Sequence, residues 1–432
     1  MESTMFINSG PYYANTMAQS YSYNPYASPQ FTNPNFSYPT QTMQMPMGTA
    51  PYMSIQEPIT NIKPLEYTKM IMKPSSDISN TTTNASAPVA NEGNHSTGTS
   101  NSSIDFEQPL GLVDKYVIFA ELGQDHLYPV YLASSIHSPS DDSNLVVLKA
   151  IPVSDPQCSF QNEYNVFQLK AHKNLLKCVE IIKNARFFFS NYSDKSNRPN
   201  TSDQAYHIFV LEYQPNGDLL EFVKKCRLNE QVARYYFEQI LDAVENLHMN
   251  GYCHRDLKIE NILLDKNFDL ILTDFGHTVK YREQSGRERY FIGNSSVTTP
   301  GICPPEFHKG GSYRGIPMDI FALGKLLLIF VTGFNPFKSS QTNDANFSLI
   351  IKGQWATFWK LTQGWVKQRA AKSGDFSKEL KALVEQMLHP DPSKRIASIQ
   401  KIRESAWFKK TEPATREEVQ MMMLRAKTSQ AQ

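Results

Sequence analysis

The hydrophobic pattern of this 432-residue chain changes period near Asp218. Before that point short runs rich in β-branched and aromatic residues follow one another: Tyr116–Leu122, Val130–Ala133, Leu145–Ile151, Val179–Phe188 and Tyr206–Tyr213. Such runs predict strands, with a helical stretch around Phe160–His172 among them. Ser135–Asn144 and Ser190–Gln204, rich in Ser, Asn and Asp, predict surface loops. After Asp218 the period lengthens. Over Asn229–Asn250, Val232, Tyr236, Phe237, Ile240, Leu241, Val244 and Leu247 recur every three to four positions, which sets them on one buried helix face with Asn229 as N-cap. Strands with one helix, then mostly helices, predict an α+β fold in two lobes: a small, mainly β N-terminal lobe and a larger, mainly α C-terminal lobe.

Residues 1–107 follow neither period. Glu2 is the only charge among the first 56 residues, and Tyr, Asn, Pro, Ser, Thr, Gln and Met dominate. Such a segment cannot bury enough apolar surface to offset its ordering entropy, so we expect low-complexity disorder over 1–107, as an inert tail rather than a self-associating one. A globular domain over 108–410 and a tail over 411–432 follow. In the tail, Thr415 and Glu418 form a capping-box pattern ahead of Val419–Leu424, which predicts a short helix that docks on the domain or on a partner.

Composition narrows the function classes. The formal net charge is +1, so no global field recruits nucleic acid or an anionic membrane. Five cysteines (Cys158, Cys178, Cys226, Cys253 and Cys303) lie far apart without a CxxC pair, against a zinc knuckle or disulfide framework and in keeping with a reducing compartment. The N-terminus lacks the basic-then-apolar pattern of a signal peptide. The longest apolar run, Phe321–Phe334, contains Lys325 and two glycines and reads as a buried core helix rather than a bilayer span. These features predict a cytoplasmic or nuclear location, no membrane span and no nucleic-acid partner.

The chemistry is concentrated in His254-Arg-Asp-Leu-Lys-Ile-Glu-Asn261, followed by Asp274-Phe-Gly276. Phosphoryl transfer asks little covalent work of a protein. It needs a carboxylate to hold the attacking hydroxyl, metal ligands to neutralise phosphate charge, and alignment. Asp256 fits the first role. Asn261 and Asp274 offer the hard oxygen donors that Mg²⁺ prefers. Lys258, two residues past Asp256, is placed to meet the transferred group. A hairpin of Ile262–Leu264, a turn at Asp265–Asn267 and Leu270–Leu272 would bring both motifs together.

An eight-residue string and Asp-Phe-Gly at this separation are too specific for chance. Over roughly Val113 to Lys410 the chain resembles the eukaryotic protein kinase family, of the serine/threonine type and closest to the calcium/calmodulin-dependent-kinase-like group. The resemblance implies a two-lobed kinase fold (N-lobe about 113–214, C-lobe about 215–410) that transfers the γ-phosphate of ATP, with Mg²⁺, to protein Ser/Thr hydroxyls, Asp256 being the catalytic base. It implies that Lys149, after the apolar strand Val146–Leu148, grips the α- and β-phosphates and pairs with Glu163. The adenine hinge falls on Glu212, Tyr213 and Gln214 after the gatekeeper Leu211, and Asp218 takes the position that meets ribose, or else simply caps a helix. Pro304-Pro-Glu306 matches the end of an activation segment. Thr299 matches the residue that bonds the catalytic aspartate, Asp319 the buried anchor of the catalytic loop, and Arg395 the partner of Glu306. Arg255, just before Asp256, implies control by an anion on the activation segment, so Ser295 or Ser296 would be phosphorylated by an upstream activating kinase, with Lys280 as a further contact. Glu260 beside Asp218 suggests arginine upstream of the acceptor, although Ile329 replaces a further acid that strongly basophilic members carry.

The glycine-rich loop departs from that family. GxGxxGxV reads Gly123-Gln-Asp-His-Leu-Tyr-Pro-Val130, so Gly123 and Val130 remain while Asp125 and Tyr128 replace glycines. Each missing charge-assisted hydrogen bond to phosphate would cost about 1–3 kcal/mol. We therefore expect weaker nucleotide use with catalysis retained. The alternative is a pseudokinase that serves as a scaffold or binding module.

Overall fold

The computed structural model describes residues 109–122, 128–137, 144–155, 159–189, 200–201, 204–225, 227–283, 285–293, 299–369 and 374–428. All of them fall within one compact unit. The 1–107 segment, Gly123, Asp125, residues 138–143 and 190–199 of the two spacers, Cys158, Cys226, Ser295 and Ser296 lie outside this set.

The β-branched runs pair into one antiparallel sheet. Its strands are β1 (Gly111–Val113), β2 (Tyr116–Glu121), β3 (Val130–Ser135), β4 (Leu145–Pro152), β5 (Cys178–Ala185), β6 (Phe188–Phe189), β7 (Asn200–Thr201) and β8 (Tyr206–Glu212), in the order β5-β8-β4-β3-β2-β1-β6-β7. Inside that sheet β4 buries Leu145, Leu148, Ala150 and Ile151. Its register sets Lys149 opposite Val130 on β3 and Phe209 on β8. Directly opposed residues share a face, so Lys149 projects beside Val130 and Phe209.

Two expected elements are shorter than their patterns. The run Val179–Phe188 splits after Ala185, following Asn184 at a left-handed φ of 58°, and Phe188 and Phe189 turn to pair with β1. The helix expected to reach His172 is α1 (Ser159–Phe167). Beyond it the chain extends along the C-terminal lobe, where the Leu176 N–H donates to the Leu272 carbonyl at 2.9 Å and Asn174 accepts in turn from the Leu272 N–H at 2.8 Å.

The C-terminal lobe holds α2 (Leu219–Lys225) and α3 (Glu230–Met249), the latter capped by Asn229, whose side chain accepts from the Val232 N–H at 2.9 Å. The short strand β9 (Tyr252–Cys253) comes next, then the hairpin β10 (Ile262–Leu264) and β11 (Leu270–Leu272), which has the expected limits and pairs Ile262 with Leu272. A short helix, α4 (Pro305–His308), lies between the strands Tyr290–Ile292 and Ser312–Arg314, which pair with each other. Next comes α5 (Gly315–Thr332), apolar and long enough to cross a bilayer by composition but almost wholly buried as the core of this lobe. A Cβ at Gly324 would stand 2.8 Å from the Met387 Cβ, so this glycine lets α5 meet the later helix that carries Met387. Around α5 stand α6 (Ala345–Ile351), α7 (Trp355–Arg369), α8 (Lys378–Met387), α9 (Ile399–Arg403) and α10 (Ala406–Lys410).

The tail helix is α11 (Arg416–Thr428), and it docks on the domain. Its capping box is reciprocal: the Thr415 N–H donates to Glu418 Oε2 at 2.8 Å and the Glu418 N–H to Thr415 Oγ1 at 3.2 Å. Val419 and Met423 enter the main core, a burial worth about 1.5–3 kcal/mol per side chain. Gln420 donates to the Asn267 carbonyl, Arg416 pairs with Asp269, and Lys427 reaches Asn216 at 2.9 Å.

Candidate active site

The catalytic loop hangs from a buried carboxylate. Asp319, at the start of α5, accepts from the backbone N–H of His254 (2.9 Å) and of Arg255 (2.8 Å) and meets His248 Nε2 at 2.8 Å. Arg255 is held at φ 66° and Asp274 at φ 61°, both in the left-handed region that costs a side-chain-bearing residue about 1–3 kcal/mol. The Asp319 bonds over-determine the first of these. Burial lowers the pKa of His254, against the pull of Asp319, Asp256 and Asp274. Its Nδ1 accepts from the Asp256 N–H at 3.3 Å, which puts the ring proton on Nε2, 3.3 Å from the Thr273 carbonyl.

Asp256 is almost completely buried yet ionised. Burial pushes its carboxyl up, but Lys258 and His277 outweigh that and hold it below the usual carboxylate range. Lys258 Nζ lies 3.0 Å from its Oδ2, Asn261 Nδ2 donates to the same oxygen at 3.0 Å, and the Thr299 N–H donates to Oδ1 at 3.1 Å. The expected Thr299 contact is therefore made by backbone. The Thr299 hydroxyl accepts instead from Lys258 at 3.0 Å.

Lys149 joins the two lobes. It pairs with Glu163 of α1 and, at 2.7 Å, with Asp274 Oδ1. Burial works against the ammonium charge, but Asp274 and Glu163 outweigh it and hold Lys149 above an ordinary lysine. Burial also pushes the Glu163 carboxyl up, against Lys149. Asp274, where Lys149 overcomes burial, sits well below the usual range.

The donor set fits a hard divalent cation. Asn261 uses its Nδ2 twice, on the backbone oxygen and on Oδ2 of Asp256, which turns its Oδ1 outward. Asp274 commits Oδ1 to Lys149. Among the described residues no hydrogen bond uses Asn261 Oδ1 or Asp274 Oδ2, so two oxygens of the type Mg²⁺ prefers are left for it.

Comparison with known proteins agrees with this geometry. The protein kinase domain family matches residues 116–408. The chain belongs to the protein kinase family. Its relatives include "CBL-interacting protein kinase 26" of Oryza sativa subsp. japonica, 30% identical over 305 residues, which are 69% of this chain and 53% of the relative. Another is "CBL-interacting serine/threonine-protein kinase 13" of Arabidopsis thaliana, 31% identical over 331 residues, or 74% of this chain and 57% of the relative. The chain thus spans a little over half the length of these relatives.

Within the kinase domain the remaining expected residues fall as follows. Leu211 is buried at the end of β8, opposite Val147 and Cys178. The Glu212 side chain pairs with Lys177 at 2.8 Å, and Gln214 Nε2 lies 3.5 Å from the Glu212 carbonyl, so both side chains turn to their neighbours. Asp218 caps α2, accepting from the Glu221 N–H at 2.9 Å. Arg395 clasps Glu306 with two bonds, of 2.8 and 3.0 Å. Arg255 donates to the His277 carbonyl at 2.8 Å and to the Tyr313 hydroxyl at 3.1 Å, with Phe291 5.3 Å from its guanidinium. Lys280 lies on the short strand Val279–Lys280 that pairs with β9.

Several kinase residues were not visible in the motifs. Phe275 meets Phe167 of α1 edge-on at 5.6 Å, Phe167 meets Phe209 at 5.1 Å, and His254 lies 5.8 Å from Phe275. This chain of rings fastens the catalytic loop to both α1 and the sheet. Asn162 donates to the Gly276 carbonyl at 2.7 Å. Tyr128, in the third glycine position, gives its hydroxyl to Asp155 Oδ1 at 2.7 Å and lies 3.0 Å from Ser159 Oγ. Asp155 Oδ2 accepts from the Ser159 N–H that opens α1. The residue that removes a loop glycine thus ties the loop's end to the helix bearing Glu163. Tyr128→Phe removes a bond to a carboxylate worth at least about 1 kcal/mol, so kcat/KM for ATP is expected to fall about five- to tenfold. Steady-state kinetics in ATP checks this, and an unchanged value would remove the tie from catalysis.

Proposed function

We propose that this chain is an active serine/threonine protein kinase that transfers the γ-phosphate of ATP to protein hydroxyls. The observation that carries it is Lys149, which joins Glu163 and Asp274 at once while Asp256 stays ionised beside Lys258 and Asn261. In this reading Lys149 orients the α- and β-phosphates. Asp256 accepts a hydrogen bond from the substrate hydroxyl and takes its proton as the phosphorus–oxygen bond forms. Lys258 meets the negative charge of the transferred group. Mg²⁺ held by Asn261 and Asp274 would neutralise phosphate charge. The Lys258 position also supports serine or threonine as acceptor, as does the wording of the Arabidopsis relative's name.

The test is Mg-ATP-dependent ³³P transfer by the full chain to a mixed Ser/Thr peptide library, with Asp274→Asn as control. Incorporation lost in the control is expected. No incorporation, together with no thermal shift on adding Mg-ATP, would instead make the domain a scaffold. We further propose that phosphorylation at Ser295 or Ser296, which lie outside the described residues, raises activity through Arg255. Ser295→Ala/Ser296→Ala is then expected to lower activity at least about tenfold, and equal activity of the double variant would end that reading.

A further inference from the structure

Lys325 is a buried cation without a counter-ion among the described residues. It lies inside α5 with 2% of its surface exposed. Its Nζ donates to the Gly301 carbonyl and stands 4.6 Å from the Phe337 ring centre. Among the described residues no carboxylate lies within ion-pair distance of it. Two acids act on it from further away. Asp344 is engaged by four backbone N–H groups, those of Lys338, Ser339, Asn346 and Phe347. Glu260 is exposed. Burial accordingly pulls the Lys325 ammonium down to about 8. An ammonium has three donors, and the Gly301 carbonyl accepts from one of them.

Lys325 lines a cavity of about 550 Å³ between α2, the catalytic loop, Thr299–Ile302, α5 and Gly333–Asn335. Lys258 and Thr299 border the same cavity, and both contact Asp256, so it adjoins the position of the acceptor hydroxyl. Four cations line it, Lys224, Lys258, Lys325 and Arg369, against the single carboxylate of Glu260. Two of the four have other engagements: Lys224 pairs with Glu221 at 2.8 Å, and Arg369 stacks 4.3 Å from Phe334. Lys258 already serves Asp256. Among the described residues Lys325 and Arg369 are then the lining cations with no carboxylate partner, and of the two Lys325 is the buried one.

We propose that this cavity is a substrate subsite for an anionic side chain, a carboxylate or a phosphate, close to the acceptor residue, with Lys325 as its counter-ion. The proposal rests on the kinase reading above and gives it a substrate class. It runs against the arginine preference that Glu260 and Asp218 suggest, since Asp218 does not line the cavity and Glu260 is outnumbered there. An incoming anion would complete the pairing that the fold leaves open, whereas an arginine would add a fifth cation.

The experiment uses the full chain and single-acceptor peptides in which each of the five positions on either side of the acceptor carries Glu, phosphoserine, Gln or Arg in turn. At one position Glu or phosphoserine is expected to exceed Gln by at least about tenfold in kcat/KM, the usual size of one charge-assisted bond. The Glu and phosphoserine arms show which anion is used. Lys325→Met is expected to bring the ratio to about one, and Lys325→Arg to restore much of it. A residue that merely braces Gly301 would lower both peptides by the same factor and leave the ratio standing, which overturns the proposal. So does a preference for Arg, or none, at every position. Should Lys325→Met not fold, the wild-type ratio decides. A chain that transfers phosphate to no peptide sinks the kinase reading instead. Fluorescence anisotropy of the Glu and Gln peptides then reads the same ratio without turnover.

Discussion

Asp256→Asn is expected to lower kcat for phosphate transfer by about 10²–10⁴-fold, the range for a lost general base. The substitution is nearly isosteric, so the Thr299 N–H can still donate to Oδ1 and the loop stays anchored by Asp319. What disappears is the ionised acceptor that Lys258 and His277 maintain against burial. KM for ATP is expected to change less than about threefold, because a group that acts on the hydroxyl in the transition state affects kcat more than nucleotide binding. Asp274→Asn should differ, losing nucleotide affinity in Mg²⁺ as well, since it removes an oxygen donor and half of the Lys149 pairing. Radiometric transfer at saturating ATP, with calorimetry for binding, separates the two. An Asp256→Asn variant within tenfold of wild type would take Asp256 out of the chemistry. The pH dependence follows the same logic. Both aspartates titrate below the ordinary carboxylate value of about 4, so the stability they contribute is fully present above that value. It is lost as pH falls through their depressed native values.

The chemical centre was legible because phosphoryl transfer packs its charged groups into contiguous strings. His254–Asn261 and Asp274–Gly276 are joined by a hairpin whose Ile262–Leu264 and Leu270–Leu272 limits set apolar residues around an Asp-Lys-Asn turn, and the structure pairs the same residues. The N-cap at Asn229 and the capping box at Thr415 were legible for a like reason, being local bonds three residues apart. The rest depends on partners distant in sequence. His248 meets Asp319 across 71 positions, and Tyr128 meets Asp155 across 27. From the sequence Tyr128 was a bulky intruder in a phosphate loop. Its bond to Asp155 shows what the bulk reaches. Lys325 was likewise only an oddity in an apolar run, because its isolation depends on Asp344 being engaged by backbone elsewhere. The end of α1 was misjudged as well: Gln168 and Leu169 still bond back to Tyr164 and Val166, and the chain has left the helix before Asn174 and Leu176 bond to β11.

Arg395→Met is expected to destabilise the protein by about 3–5 kcal/mol, the cost of leaving a buried charge without its partner. The guanidinium is 4% exposed and makes bonds in several directions: two to Glu306, one from Nη1 to the Pro317 carbonyl at 2.7 Å, and one each from Nε and Nη2 to the His389 carbonyl. It also lies 5.1 Å from the Phe321 ring centre. One side chain thus ties α4, the start of α5 and the turn after α8 together. Methionine keeps the ring contact but removes the donors to Glu306 and to the His389 carbonyl and the second donor to the Pro317 carbonyl. A fall of roughly 6–20 °C in melting temperature is expected at about 2–4 °C per kcal/mol. Transfer activity should fall with it, because Glu306 follows the Thr299–Ile302 segment that abuts Asp256. The decisive comparison is Arg395→Met/Glu306→Leu. If the penalty lies in the orphaned carboxylate, removing that carboxylate as well should recover part of the lost stability. If the penalty lies in the carbonyls and packing, the double variant will melt no higher than Arg395→Met alone, and the ion pair will have been a minor part of what holds the activation segment in place.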